Sequence, residues 1–276
     1  MGRLVVLAGA AVMLAACQPE SASDQPGQAD VNAGTEQSPA ATASQATADK
    51  PSLSAAGRAE LLAAFARAAD ATAAGGPLPD ANRQLVGRTF SLRLPFGCNG
   101  PANKAALPWA GWTYDPTKQT LKLTVTPERW SEAAWVRAIA GEMPYEALEG
   151  FWIQRPWTSS EECPLGISTS TEAVATEPVR PTVGIAQFFA PDAPRTFQRG
   201  ARAYSHTIRV PGAEALKGRG YRLSIGGRVT GFADGQPIHC WNEAPALRPV
   251  CLMAVELARV AFEDAPAGVV LVEWRN

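Results

Sequence analysis

The chain holds two histidines, His206 and His239, and they are its only imidazoles. A Ser-His-acid hydrolase needs one of them beside a serine and a carboxylate gathered from distant positions. Nothing local marks such a site. No Gly-x-Ser-x-Gly elbow, His-Glu-x-x-His pair, P-loop or EF-hand loop occurs. His206 alternates with Tyr204 and Ile208, the setting of a packed sheet histidine. Glu161 and Glu162 are adjacent and face opposite ways on a strand, which makes them poor partners for paired acid-base work. Glu142, Glu146 and Glu149 have the helical spacing of a solvated face. A hydrolase with an unrecognised site is one function to weigh. It would show as a deep polar pocket with His206 or His239 in reach of a serine and an acid.

The cysteines point to oxidation rather than to metal. Cys17 stands apart near the N-terminus, leaving Cys98, Cys163, Cys240 and Cys251. Four cysteines in an exported chain read as two disulfides. Cys240 and Cys251 flank a Pro-containing loop between strand-like runs, and a hairpin places such residues opposite each other. Cys98 and Cys163 then pair by elimination. No Cys-x-x-Cys spacing exists, and His239 beside Cys240 cannot build a tetrahedral site alone. No metal and no cofactor is expected.

Tryptophan is the unusual resource. There are 8 Trp against 4 Tyr. The densest patch is Phe151-Trp152-Ile153-Gln154-Arg155-Pro156-Trp157. Trp152, Arg155 and Trp157 are candidate binding residues. An aromatic platform beside an arginine can stack on a sugar ring or pack on a protein. The competing expectation is that the tryptophans fill a small β core.

The N-terminus reads as an address. Met1-Gly2-Arg3 precedes an uncharged run, Leu4 to Ala16, too short to span a bilayer. It ends in Leu14-Ala15-Ala16-Cys17, which resembles the lipobox of bacterial lipoproteins. The resemblance implies that Cys17 is lipidated and becomes the first mature residue. Gln18, in place of Asp, leans towards the outer membrane, facing the periplasm. Residues 18–50 carry eight Ala, five Gln and no aromatic residue, with five acids and one base. Such a composition cannot offset chain entropy by burial, so a tether is expected. The remaining 226 residues carry 23 bases and 21 acids. This balance gives no electrostatic reason to expect nucleic acid. The partners expected are the membrane, through the lipid, and an envelope protein or cell-wall glycan.

The elements that position these residues follow from periodicity. Ala55 to Ala73 reads as an amphipathic helix, with Leu61, Leu62, Phe65 and Ala69 on one face and Ser52 or Ser54 as cap. Period-two runs mark strands at residues 88–96, 112–114, 119–126, 204–210, 221–229, 250–260 and 268–274. Asp115 to Lys118 reads as a turn and Asp234-Gly235 as a hairpin signal. Residues 127–140 read as a short helix. The expected organisation is a signal peptide (1–16), a lipidated disordered tether (17–50), a helix and linker (51–79) and a β-rich globular domain (80–276). The fold class is mainly β: an antiparallel sandwich or barrel with an N-terminal amphipathic helix and two disulfides. An OB-like barrel over 221–262 is a topological alternative. The function expected is a non-enzymatic envelope lipoprotein that binds or docks, or a purely structural one.

Overall fold

The computed structural model describes residues 54–102, 109–164, 180–193, 200, 202–216 and 218–276. The expected signal peptide, Cys17, the tether and Ser52 lie outside them.

One strand organises the rest. The run Val250 to Val255 is apolar at every position, so it cannot leave either face in water. It forms the first part of β10 (Val250–Asp264), and Cys251, Met253 and Val255 enter one core while Leu252 and Ala254 enter another. On one flank β10 pairs antiparallel with β9 (Ile238–Trp241) and then with β8 (Tyr221–Val229). On the other it pairs in parallel with β6 (Val183–Phe189) and then antiparallel with β11 (Val269–Arg275). The register against β8 shifts between Leu257 and Arg259, so Ala258 bulges. Asn276 and Gln187 satisfy the backbone there. The Asn276 amide nitrogen donates to the Leu257 carbonyl at 2.8 Å, and the Leu257 N–H donates to Gln187 Oε1 at 3.1 Å.

The full path is β1 (Thr89–Phe96), β8, β10, β6, β5 (Ala147–Trp152) and β4 (Glu128–Arg129), with β9 and β11 attached to β10. This eight-stranded sheet is mixed, because β6 runs parallel to β10. A second, antiparallel sheet holds β2 (Ala110–Asp115), β3 (Thr120–Val125) and β7 (Tyr204–Arg209). Asp115 Oδ1 accepts the N–H groups of Thr117 and Lys118, closing the expected turn between β2 and β3. Neither sheet closes into a barrel. The inner faces meet through Trp112 against Tyr221, with centroids 6.4 Å apart, and Tyr204 against Trp274, at 5.0 Å. Phe90, Leu92, Leu94 and Phe96 all enter this core, as their alternation requires.

Three expectations are corrected. Asp234-Gly235 does not close a β-hairpin between β8 and β9. Those strands lie end to end along β10, and residues 230–237 form an excursion whose two ends both bond to Ala254. The first helix, α1, spans Arg58–Ala73 and has Gly57 as its N-cap, without a side-chain cap. It starts later than expected because Ala56 is bonded to β1: its N–H donates to Thr89 O and its carbonyl accepts from Ser91 N. The short helix α2 covers only Ala134–Ala140 of the expected stretch. It packs over the outer face of β5, β6 and β10, where Trp130, Val136, Ile139, Leu148 and Phe232 form the second core.

Both disulfides form, Cys98–Cys163 and Cys240–Cys251, with Cα separations of 5.5 and 4.0 Å. Cys240 and Cys251 face each other directly in the β9–β10 ladder. The Cys251 N–H turns away to Thr182 O, so this is a non-hydrogen-bonded pair, the kind that brings side chains closest.

Close backbone packing yields a test. A Cβ on Gly150 would sit 1.9 Å from the Ile185 carbonyl oxygen, whereas one on Gly212 meets nothing within 4 Å. Gly150→Ala should cost about 2 kcal/mol or more in denaturant unfolding, and Gly212→Ala should stay within about 0.5 kcal/mol.

Candidate functional site

Tryptophan burial singles out one residue. Trp112 and Trp130 are buried, and Trp109, Trp135, Trp152, Trp241 and Trp274 are half-buried against the two cores. Trp157 is 68% exposed. The expectation that tryptophans fill the core thus holds for seven of the 8. Trp152, on β5, packs edge-on to Trp130 at 4.8 Å and stacks on Trp135 at 6.2 Å. Among the described residues no ring contact joins it to Trp157. Arg155 and Trp157 therefore stand at the surface without Trp152 as a shared platform.

The loop that carries them is held from beneath. Arg58 opens α1 on the same stripe as Leu61 and Phe65, and that stripe is buried. The stripe leaves Arg58 only 3% exposed, so its guanidinium needs acceptors. It finds them in the loop after β5. Arg58 Nε donates to the Thr158 carbonyl at 2.9 Å, and Nη2 donates to the Gln154 and Arg155 carbonyls at 2.7 and 3.1 Å. Burial pulls the Arg58 guanidinium below its ordinary pKa; the Glu161 carboxylate opposes this and Arg155 adds to it. Arg155 has φ 49° and precedes Pro156, a conformation disfavoured for a residue with a Cβ. It persists because its carbonyl is held twice, by Arg58 and by the Thr158 N–H at 3.1 Å.

The far end of the loop is fixed as firmly. The Arg93 N–H on the free edge of β1 donates to Glu161 Oε1 at 3.0 Å. The Arg93 side chain reaches both Glu161 and Glu263. Burial would lower the Arg93 pKa, but the two carboxylates together raise it. Glu162 pairs with Arg222, and its carbonyl accepts from Arg155 Nη2 at 2.7 Å. Cys163 then joins Cys98 at the end of β1. A Cβ on Gly220 would approach Cys163 Sγ to 2.1 Å, so glycine is needed where the disulfide crosses. Glu161 and Glu162 are thus ion-paired separately and share no site. Ala56 covers the edge of β1 at Thr89 and Ser91, and Glu161 continues the cover at Arg93. This removes an exposed strand edge.

The histidines do not meet a nucleophile. His239 lies flat on Phe232, with centroids 4.0 Å apart and 4° between planes. Its Nδ1 contacts the Ile139 carbonyl at 2.7 Å, and its Nε2 contacts both Asp234 oxygens at 3.1 Å. Both ring nitrogens therefore face oxygen acceptors, and neither presents a lone pair to a hydroxyl. His206 sits on β7 opposite Leu123. Among the described residues no hydrogen bond joins either histidine to a serine. A cleft of about 540 Å³ is lined by Met143, Phe188, Thr230, Val255, Glu256 and Asn276, among others, and it holds no histidine. A second, of about 600 Å³, lies beside Asp115, Lys118 and Lys122. Among the described residues no group of three or more His, Cys, Asp or Glu is placed to hold a metal. Among the same residues no helix is long and apolar enough to cross a membrane.

Comparison with protein-family models, with curated proteins and with solved structures finds no match. What the fold and this geometry define is a mainly-β domain that displays one aromatic side chain on a braced loop.

Sequence reasoning missed Arg58. The signal was present: an arginine in register with Leu61 and Phe65 on an apolar helix face. Replacing it tests the brace. Arg58→Met leaves three carbonyls without their donor and should cost about 2–4 kcal/mol in denaturant unfolding. Amide exchange should rise across 154–162 ahead of global unfolding.

Asp234 gives a pH test. Burial pushes its carboxyl up, but the Gln236 N–H, His239 and Arg83 outweigh this and hold it below the ordinary value of 3.8. The carboxylate thus stabilises the folded state above the ordinary carboxylate range, and that contribution is lost as pH falls through the folded value. Asp234→Asn should lower Tm at neutral pH, with the gap closing in strong acid, as thermal melts from about pH 2 to pH 7 would show.

Proposed function

We propose that this chain is a lipoprotein of the bacterial envelope, held in the outer membrane by lipid on Cys17 and facing the periplasm. Its folded domain is a non-enzymatic binding module that docks an envelope component through Trp157, with Arg155 beside it. The address rests on Leu14-Ala15-Ala16-Cys17 and on the apolar run before it. Two disulfides suit the oxidising compartment that such an address implies.

The observation that carries the docking role is the pairing of exposure with rigidity. A tryptophan in water gains nothing for the fold. Here the loop beneath it uses a buried arginine, two ion pairs and a disulfide to keep it there. An ordered aromatic loses little conformational entropy on binding, which is how a few anchors come to dominate an interface.

The test is footprinting of Trp157 by hydroxyl radicals in isolated envelopes and in the purified chain. Trp157 should be protected in envelopes and labelled freely once purified. Trp157→Ser should unfold within about 0.5 kcal/mol of the parent, because the side chain is largely exposed. Mass spectrometry should find acyl chains on Cys17, and Cys17→Ala should release the chain from the membrane fraction. Equal labelling of Trp157 in both states would leave a purely structural lipoprotein.

A further inference from the structure

We infer that the outer face of the small sheet carries a phosphate-binding cleft, with Lys122 as its cation and the hydroxyls of Thr113 and Thr207 beside it. The site depends on neither Cys17 nor Trp157.

Alternation along three strands builds the site. On β2, β3 and β7 the residues Trp112, Tyr114, Leu121, Leu123, Tyr204 and Ile208 pack in or against the core, so their neighbours turn outward. The ladder then sets Thr113, Lys122 and Thr207 in one row across the sheet. Side chains directly opposite each other in such a row have Cβ atoms about 4.5–5.5 Å apart. In the next row Arg209 stands opposite Thr120 on the same face. That places it diagonal to Lys122, at about 7–8 Å. Residues of the turn between β2 and β3 form one end of a cleft of about 600 Å³, lined by Thr113, Asp115, Lys118, Thr120, Lys122 and Thr207, among others.

Charge and donor placement favour an oxyanion. Asp115 is the one carboxylate of the lining, and it is committed to its own turn. Its Oδ1 accepts the N–H groups of Thr117 and Lys118, and its Oδ2 lies 3.7 Å from Lys118 Nζ. Among the described residues Lys122 and Arg209 have no carboxylate partner, and the hydroxyls of Thr113, Thr120 and Thr207 make no hydrogen bond within the protein. On the large sheet, by contrast, Arg93, Arg222 and Arg259 are each paired with a glutamate. Lys118 and Lys122 are the two lysines of the described residues, and both line this cleft. An ammonium binds phosphate as a point charge with three donors. A carboxylate ligand has two oxygens to offer. A phosphate group has more, enough to meet an ammonium, two hydroxyls and a guanidinium from different sides.

The test is ¹⁵N NMR of the full chain carrying Cys17→Ala, which removes lipid as a variable. The chain is titrated with inorganic phosphate and, separately, with sodium chloride at matched ionic strength. Phosphate should produce saturating amide shifts at Thr113, Lys122 and Thr207 that chloride does not. Lys122→Gln should weaken this binding about tenfold or more and Thr207→Val about threefold, with the unfolding midpoint unchanged in both. Arg137→Gln, at an exposed arginine of α2, should leave the binding as it is. Glycerol phosphate and phosphatidylglycerol vesicles identify the carrier of the group. Saturating shifts with the ester assign it to a soluble phosphate, and Lys122-dependent broadening with vesicles alone assigns it to a lipid headgroup. If phosphate and chloride act alike, or if Lys122→Gln binds phosphate as the parent does, this is an ordinary solvated sheet face and the inference is wrong.

Discussion

The guanidinium of Arg58 cannot lie in a β core without acceptors, and the way this is met organises one side of the molecule. Its position on the apolar stripe of α1 is set by helix periodicity. Its acceptors come from a loop roughly a hundred residues away in sequence. Joining them ties the first turn of α1, whose start is set by Ala56 on β1, to the turn of residues 154–158. The same loop then runs to Glu161 and Cys163, which cover and lock the edge of β1. Trp157 is exposed because the loop around it is already committed to these contacts.

β10 plays the corresponding role for the interior. Its first half is buried on both faces, so it separates a core between the two sheets from an aromatic core beneath α2. Its length lets one strand serve two neighbours on each flank, β9 and β6 along Val250–Ala254, and β8 and β11 along the rest. This division accounts for the tryptophan content. Trp130, Trp135, Trp152 and Trp241 pack in or against the second core, and Trp109, Trp112 and Trp274 in or against the first. Phe232 and His239 extend the aromatic layer, with Asp234 and the Ile139 carbonyl holding the imidazole in plane. A histidine so held is a structural clasp between α2 and the excursion of residues 230–237.

Strands with one wet face were legible in the sequence. Phe90 to Phe96 and Leu121 to Val125 alternate cleanly, and both lie where period two places them. The strands β5 and β6 were not. Ala186 and Ile185 are both buried, facing opposite cores, so alternation vanishes and a run such as Val183 to Phe189 reads as no particular element. The parallel pairing of β6 with β10 likewise leaves no short-range mark. Asp234-Gly235 signalled a turn correctly, but which strands a turn joins depends on pairing with β10. The disulfide Cys240–Cys251 was legible because its spacing is local. The pairing of Cys98 with Cys163 followed from counting, and the loop it locks did not. Of the site, Trp157 and Arg155 were visible as an aromatic and basic patch. That Trp152 turns inward, and that Arg58 braces the loop, depends on contacts no spacing reveals.

The central claim is that the Trp157 loop is as ordered as the sheet it borders while its indole stays in water. Backbone ¹⁵N relaxation of the free protein measures this directly. Order parameters for 154–160 near those of β8 and β10, about 0.85, together with a solvent-exchanging Trp157 indole N–H, are the predicted result. Values below about 0.6 across the loop would mean that Arg58 does not hold it, and would contradict the account.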